Sequence, residues 1–315
     1  AGTLGANGWY TSDVTVSTTG SDPVSGPVTC TADQQQTTET TGAVFNGDCT
    51  NQAGLVGNAA PLTVKLDKTP PTATLAVTAG TLGANGWYTS DVTVSTTGSD
   101  PVSGPVTCTA DQQQTTETTG AVFNGACTNQ AGLVGNAAPL TVKLDVTPPT
   151  VGITGPAIVL QGTSASAVVT AYDATSGLAV DPSGSLALDT STVGPHSVTV
   201  IATDNAGNSN SATLEYTVWG VNGPFAPVIK KGLGTGQFKA GSTIPVKFQL
   251  TDGANLVTTA TGTITIGSAS AAFRWDATSQ QYIANVKTGT TIGTFLLMLS
   301  VGGVGSTDIA SVNLR

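Results

Sequence analysis

Residues 62–72 read Leu-Thr-Val-Lys-Leu-Asp-Lys-Thr-Pro-Pro-Thr, an alternating apolar run that ends at a proline pair. Leu62, Val64 and Leu66 are spaced two apart, so they share one face of an extended chain. This spacing predicts a β-strand with one buried side. The proline pair holds the backbone extended and cannot join a central sheet, so a stiff linker is expected after the strand.

The same period of two recurs along the chain, in runs rich in Val and Thr, which favour the pleated state. The clearest further runs are Val14/Val16, Leu75/Val77, Val198/Val200/Ala202, Leu214/Tyr216/Val218, Ile244/Val246/Phe248/Leu250 and Phe295/Leu297/Leu299/Val301. We find no convincing helical window. Short strands between turns of Gly, Pro, Asn and Asp predict an all-β chain of antiparallel β-sandwiches.

Residues 1–72 recur at 79–150, and only two aligned pairs differ: Asp48 against Ala126, and Lys68 against Val146. Adjacent duplicates are typical of spacers, stalks and adhesive arrays, and they rarely carry an enzyme's active site. The period exceeds that of most solenoids, so each unit is predicted to be a small domain. With proline pairs and the Trp219–Pro224 stretch as linkers, the predicted domains are 1–68, 69–146, 147–219 and 220–315.

The first repeat begins one strand later than the second. Residues 72–78 form the predicted first strand of the second repeat, whereas Ala1 aligns with Ala79, which follows that strand. The first sheet is therefore expected to have an open edge. Two explanations stay open: Ala1 marks a cut in a longer array, or a neighbouring chain donates the strand by β-augmentation and builds a filament.

Charge is scarce and uneven. Charged residues make up 9% of the chain, and the net charge is −9. Residues 1–219 carry −13 and residues 220–315 carry +4. This asymmetry is compatible with head-to-tail contact between chains, and the simpler interpretation is that the last domain is another module type. The net negative charge of residues 1–219 argues against nucleic-acid binding. No window has the ~18 apolar residues of a membrane span.

The four cysteines form one pair per repeat with identical spacing, Cys30 with Cys49 and Cys108 with Cys127. Pairing within each repeat predicts two disulfides, each worth about 3 kcal/mol in the chain-entropy model. The competing interpretation is a metal site, which needs four ligands, and neither repeat contains His or further Cys. Disulfides indicate an oxidising, extracytoplasmic setting.

Several motifs resemble known families. The stretches Asn7-Gly-Trp-Tyr-Thr-Ser-Asp13, Asp173-Ala-Thr-Ser-Gly177 and Asp204-Asn-Ala-Gly-Asn208 resemble hallmarks of bacterial surface immunoglobulin-like repeats. Residues 238–248 and 274–282 resemble the PxKF domain, which is found at the ends of large secreted bacterial proteins. The resemblance implies tandem immunoglobulin-like β-sandwiches in an extended array, on a secreted or surface-anchored, non-catalytic protein of the kind often appended to enzymes or adhesins.

Acidic and amide side chains are predicted to meet at the domain junctions. In a sandwich, the loops at one end face the incoming linker, which groups two sets of residues: Asp67 with Asp100 and Asn129, and Asp145 with Asp173 and Asp204. Calcium takes six to eight oxygen ligands, so these sets are candidate calcium sites that would stiffen the array. The alternative is that the same side chains cap turns through their own backbone.

Two further groups of residues are candidates for binding or catalysis. The repeated pairs Trp9-Tyr10 and Trp87-Tyr88 are candidates for stacking on sugar rings, although a Trp beside a strand is more often part of the core. His196 is the only histidine, and nothing in the sequence places it in a catalytic triad. No catalytic residue is therefore predicted.

The sequence favours a non-catalytic extracellular structural array of a bacterium: a stalk, filament or surface-layer-like element at the cell surface. Its expected partners are further copies, through strand donation or head-to-tail contact, or other surface proteins. The alternative is an adhesin or the carbohydrate-binding appendage of a secreted enzyme, with a glycan as partner. No cofactor is expected other than the candidate calcium.

Overall fold

The computed structural model describes residues 1–229 and 236–315. These two ranges form 32 β-strands joined by turns, with no helix among them. Consequently, neither range offers a long apolar helix of the kind that spans a bilayer. The chain divides into two compact units, Ala1–Thr147 with Asn205–Asn208, and Pro148–Asp204 with Ser209–Arg315.

The first repeat lies in the first unit and consists of short strands. They are β1 (Trp9–Tyr10), β2 (Val14–Val16), β3 (Thr29–Cys30), β4 (Gln34–Gln36), β5 (Thr40–Phe45), β6 (Asp48–Thr50), β7 (Val56–Asn58) and β8 (Leu62–Leu66). They form three small sheets, ordered β1-β8-β5, β2-β4 and β3-β6-β7. The alternation in β8 buries Val64 and Leu66, as predicted, and leaves Leu62 exposed at the start of the strand.

The second repeat has the same strands and one more. They are β9 (Thr72–Ala79), β10 (Trp87–Tyr88), β11 (Val92–Ser99), β12 (Thr107–Cys108), β13 (Gln112–Gln114), β14 (Thr118–Phe123), β15 (Ala126–Thr128), β16 (Val134–Asn136) and β17 (Leu140–Leu144). The sheets are β10-β17-β14, β13-β11-β9 and β12-β15-β16. Leu75 and Val77 of the extra strand pack on a core that includes Val94 and Phe123.

Both predicted disulfides form. Cys30 on β3 faces Cys49 on β6, and Cys108 on β12 faces Cys127 on β15. In each repeat the bridge joins adjacent antiparallel strands and closes a loop whose ends are 19 residues apart in sequence. The bridges therefore fix one small sheet in each repeat, which by itself has little core to stabilise it.

The second unit contains the remaining strands. They are β18 (Thr150–Thr154), β19 (Ile158–Leu160), β20 (Ser166–Tyr172), β21 (Gly184–Ala187), β22 (Gly194–Thr203), β23 (Ser209–Asn222), β24 (Gly236–Phe238), β25 (Thr243–Thr251), β26 (Leu256–Val257), β27 (Gly262–Ile266), β28 (Ala269–Ala272), β29 (Arg274–Asp276), β30 (Gln281–Lys287), β31 (Gly293–Val301) and β32 (Gly305–Leu314). The largest sheet runs β19-β23-β25-β30-β29. The strand β23 pairs with β19 and β22 and, at its end, with β25. The predicted boundary between 219 and 220 lies within β23, and the four-domain division stays a prediction.

The main core of the second unit follows the alternation seen in the sequence. Ile244, Val246, Phe248 and Leu250, one face of β25, are fully buried. Phe248 stacks on Tyr282 with ring centroids 5.4 Å apart. The Tyr282 hydroxyl accepts a hydrogen bond of 2.8 Å from the backbone N–H of Ala260, so this buried ring also satisfies a loop amide.

Replacing Tyr282 by Phe keeps the ring and removes the acceptor of the Ala260 amide. We expect the free energy of unfolding of the full chain to fall by about 1–2 kcal/mol, because that amide loses its partner. Denaturant unfolding measures the change. Tyr172→Phe, on an exposed ring, is the control and should change stability by less than about 0.5 kcal/mol. Equal losses in the two variants would contradict the role of the Tyr282 hydroxyl.

Candidate functional site

The joint between the two repeats is built around the carboxylate of Asp67, which follows β8 and is 0% exposed. Its Oδ2 accepts hydrogen bonds from the Ser103 hydroxyl and from Nδ2 of Asn129, the latter at 3.0 Å. The same Asn129 amide donates to Oδ2 of Asp100 at 2.9 Å. The structure thus brings Asp67, Asp100 and Asn129 together, and a neutral amide lies between the two carboxylates.

A backbone contact fixes which way the Asn129 amide points. Its Oδ1 accepts the N–H of Leu133 at 2.8 Å, so the NH₂ group must face the carboxylates. Asp100 also accepts the backbone N–H groups of Val102 and Ser103, both at 2.8 Å. Burial alone would raise the pKa of Asp100, but the hydrogen bonds from Asn129, Ser103 and Val102 outweigh it and hold the pKa below its ordinary value.

A second carboxylate holds the start of the linker. Oε1 of Glu39 accepts the backbone N–H of Lys68 at 2.9 Å and the hydroxyl of Thr69 at 2.6 Å. The Thr69 hydroxyl is the main cause that lowers the pKa of Glu39. Asp67 also holds the linker, because its Oδ1 accepts the Thr69 N–H at 3.1 Å. The linker therefore leaves the first repeat in a direction fixed by two acceptors.

The Asn-Gly turn before β1 provides the other half of the joint. Asn7 has a left-handed backbone (φ 47°), which Asn tolerates in turns. The N–H of Ala6 donates to the carbonyl of Ala131 at 3.0 Å, and Nδ2 of Asn7 donates to the carbonyl of Gln130 at 3.0 Å. The second repeat forms the same two bonds, from Ala84 to Ala206 at 2.8 Å and from Asn85 to Asn205 at 3.0 Å. Sequence reasoning missed these contacts, although the duplicated Asn-Gly was a signal for them.

The two tryptophans of the aromatic pairs are buried, whereas a sugar-binding platform exposes the face of its rings. Trp9 and Trp87 are each 7% exposed. Nζ of Lys65 lies 5.6 Å from the Trp9 ring centroid, and Nζ of Lys143 lies 5.3 Å from that of Trp87. Each indole is thus buried beneath a cation–π contact, and the neighbouring Tyr10 and Tyr88 are half-buried. Sugar stacking would require the lysine to move away, and sugar binding at these pairs stays a prediction.

The other predicted calcium ligands make contacts within their own units. Asp145, in the first unit, is fully buried; its Oδ1 accepts the Thr147 N–H at 3.2 Å and its carbonyl accepts Nδ2 of Asn208 at 3.1 Å. In the second unit, Asp173 caps a turn through the N–H of Gly177 at 2.7 Å. Asp204 is buried and forms an isolated β-bridge with Leu178. The turn-capping alternative therefore describes Asp173 directly.

His196 has structural partners. Its Nε2 donates to the carbonyl of Thr192 at 2.8 Å, and its ring stacks on Tyr216 with centroids 5.3 Å apart. These contacts place the histidine ring against the ring of a buried tyrosine.

The two repeats offer a matched pair of variants at the joint. Asn129→Ala is expected to lower the free energy of unfolding by about 2–3 kcal/mol, because Asp67 and Asp100 lose the donor between them. Asn51→Ala, its counterpart, should cost about 1 kcal/mol or less, since Asn51 is half-exposed, so water can replace both its donation to Asp22 at 2.7 Å and the Leu55 N–H that its Oδ1 accepts at 2.8 Å. Amide hydrogen exchange of each repeat measures both losses. Equal losses would show that the shared carboxylates do not depend on Asn129.

Calcium is expected to leave the Asp67 joint unchanged. Both carboxylates already accept N–H or O–H donors, and the Asn129 oxygen faces Leu133, so the group presents few free oxygens to a cation. The melting temperature of repeat 2 should therefore be the same with calcium and with chelator. Asn129→Asp, which replaces the amide by a third carboxylate, should make the melting temperature calcium-dependent. A calcium-dependent shift in the unaltered chain that is lost in Asn129→Ala would overturn the amide-bridged joint.

No protein-family model and no curated protein matches the chain. Solved structures do match the chain. The chain is 14% identical to three immunoglobulin domains of titin, I67–I69, over 87% of this chain and 93% of that one, with a TM-score of 0.31. It is 11% identical to three N-terminal domains of the highly immunogenic outer capsid protein of bacteriophage RB49, over 78% and 97%, with a TM-score of 0.27. It is also 11% identical to a Bacteroides ovatus glucan-utilisation protein, solved with a mixed-linkage heptasaccharide, over 79% and 71%, with a TM-score of 0.20. These likenesses concern the fold alone, and the strands of the chain itself show that the described residues are all-β and form small sheets.

Proposed function

We propose that this chain is a non-catalytic, extracellular structural array of a bacterium, a stalk, filament or surface-layer-like element. The observation that carries the proposal is the duplicated sandwich with one disulfide in each copy. Disulfides persist in oxidising compartments and are rare where glutathione keeps thiols reduced. Two identical bridges in adjacent modules therefore favour a chain that works outside the cytoplasm.

The contacts of the joint support a mechanical role. Three carboxylates of the first unit already accept hydrogen bonds that hold the linker and the next repeat. They are those of Asp67, Asp100 and Glu39. Groups that are satisfied within the fold stabilise a fixed arrangement and are poorly placed to act on a substrate. A joint of this kind suits a protein that connects modules.

The resemblance of the repeats to bacterial surface modules, and of residues 238–248 to the PxKF domain, supports the cell surface as the location. In that setting the partners are further copies of the chain or other surface proteins. The acidic residues 1–219 and basic residues 220–315 favour head-to-tail association between copies.

The second candidate, an adhesin or a carbohydrate-binding appendage, depends on Trp9-Tyr10 and Trp87-Tyr88. The lysine over each buried indole argues against these pairs as a preformed sugar platform. A glycan-array screen separates the two candidates: binding that is lost in Trp9→Ala or Trp87→Ala but kept in Tyr172→Phe would favour the carbohydrate-binding role.

The cellular location is testable directly. Antibodies against the chain should label intact cells of the source bacterium without permeabilisation. A membrane-impermeant maleimide should leave all four cysteines unmodified until a reductant is added, because both pairs are disulfide-bonded. Antibody labelling only after permeabilisation, together with free thiols in the native protein, would contradict the extracellular role.

A further inference from the structure

The two repeats differ at one surface site, where the first has a lysine and the second has a valine. In the first repeat, Nζ of Lys68 donates to Oδ1 of Asp13 and to the carbonyl of Thr37, each at 2.7 Å. The contact with Asp13 is the only ion pair among the residues that the structure describes. One carboxylate and one carbonyl of the repeat therefore bind an ammonium group at this site.

The second repeat keeps both acceptors without the lysine. Asp91 and Thr115 occupy the equivalent positions, and both residues are exposed. Val146 replaces the lysine and is 42% exposed. A further carboxylate, that of Glu117, accepts the backbone N–H of Val146 at 3.1 Å. These four residues form what we call the acidic patch, in which an exposed valine lies beside two carboxylates.

The second unit contains a row of side chains with the opposite charge. In the sheet that contains β25, β30 and β29, Ile283 pairs with Lys247 on one side and with Arg274 on the other. Directly paired residues point to the same face of a sheet. This face is opposite to the buried side chains of Tyr282 and Ala284. A half-buried isoleucine thus lies between two cations, and we call these three residues the basic face.

The two cations of the basic face have no carboxylate partner within the described ranges. Neither Lys247 nor Arg274 forms an ion pair or a side-chain hydrogen bond there. Asp276 is the one acidic residue of the three strands, and it already accepts a hydroxyl and a backbone N–H of its own turn. Lys287, further along the face, donates to the carbonyl of Gly241. The basic face therefore offers an ammonium and a guanidinium to an external partner.

We propose that the basic face of one copy of this chain binds the acidic patch of a second copy. The ammonium of Lys247 donates to the carboxylate of Asp91 and to the neighbouring carbonyl, as Lys68 does within the first repeat. Ile283 packs against Val146, which removes apolar surface of both from water.

Charge complementarity makes a second copy the favoured partner. The acidic patch belongs to residues 1–219, which carry −13, and the basic face to residues 220–315, which carry +4. Opposite net charges steer the two surfaces together, while like surfaces repel each other. The guanidinium of Arg274 adds a second attraction, toward Glu117.

The proposed contact joins two different surfaces, so it is heterologous. Each bound copy keeps one acidic patch or one basic face for the next copy, and association continues beyond a dimer. The inference rests on the array function proposed above and names the surfaces that would build the array.

Sedimentation velocity of the full chain over a concentration series tests for the association. Ion pairs between exposed side chains are weak and are screened by salt. We therefore expect association at low ionic strength that weakens by roughly tenfold in ~1 M salt, where the Debye length is about 3 Å.

A disulfide cross-link locates the contact. One tagged chain carries Val146→Cys and a second, with a different tag, carries Ile283→Cys. The added thiols are the only free ones, because all four native cysteines are disulfide-bonded, so oxidation should yield a mixed dimer. Val122→Cys, at a valine of the same repeat that is 59% exposed, is the control for Val146→Cys. It should give roughly tenfold less mixed dimer.

The duplicated chain supplies a matched pair of variants. Val146→Lys should form with Asp91 the ion pair of the first repeat and abolish association, while the denaturation midpoint stays unchanged because exposed pairs contribute little stability. Lys68→Val should do the reverse. It gives the first repeat an acidic patch of its own and should about double the apparent association constant.

Charge reversal tests the other surface. Lys247→Glu should weaken association by roughly tenfold or more, because it places a carboxylate against the acidic patch. Lys239→Glu changes the net charge equally at an exposed position next to β24, which belongs to another sheet, and should leave most of the association intact.

Three outcomes would overturn the proposal: no concentration-dependent association at low salt, association that survives Val146→Lys, or equal losses in Lys247→Glu and Lys239→Glu. Equal cross-linking through Val122→Cys would overturn it as well. Surface labelling of intact cells without association would leave the extracellular role standing and remove this interface. Association without surface labelling would remove the extracellular role and leave the interface standing.

Discussion

The pairing of β9 with β11 decides how much of the second repeat is buried. The sequence Val-Thr-Val-Ser-Thr-Thr-Gly-Ser forms an eight-residue strand at Val92–Ser99, whereas in the first repeat the strand stops at Val16 after three residues. A strand edge is held extended by the backbone groups of its neighbour, so removing the neighbour shortens the strand as well as uncovering it. The disulfide shows the same dependence, since Cys127 is buried under β9 and its twin Cys49 is partly exposed.

The linker brings a second constraint, the burial of the Asp67 carboxylate. Removing an ionised carboxylate from water is costly unless hydrogen bonds replace those it had with the solvent. Asn129 offsets this desolvation cost for two carboxylates together, because its NH₂ group donates to Asp67 and Asp100. Its oxygen accepts the N–H of Leu133. A lysine in the same place would add a buried charge of its own. The joint therefore combines a proline linker, which limits the backbone, with a neutral bridge that fixes its starting point.

Much of this could be predicted from the sequence. Alternation identified β8 and β25 because each has one face in a core, and the equal spacing of the cysteines identified both bridges. Loop positions also predicted that Asp67, Asp100 and Asn129 would meet. The role of Asn129 could not be predicted, because an amide can present an oxygen to a cation or an N–H to a carboxylate, and only the Leu133 contact decides between them. The lysine over each tryptophan also depends on parallel pairing of distant strands, Trp9 with Lys65 for example, which local sequence does not reveal.

One of the two positions at which the repeats differ, residue 68, shows which contacts the fold can lose. Lys68 makes a 2.7 Å ion pair with Asp13 and a 2.7 Å bond to the carbonyl of Thr37, while Val146 in its place makes neither. The pair is between exposed side chains, and such pairs contribute only about 0–1 kcal/mol. The Glu39 contact to the linker uses the backbone N–H of residue 68, so it survives in the second repeat as the bond from Val146 to Glu117. The linker contact thus depends on a backbone donor that both copies keep, and it is insensitive to the charge that changes beside it.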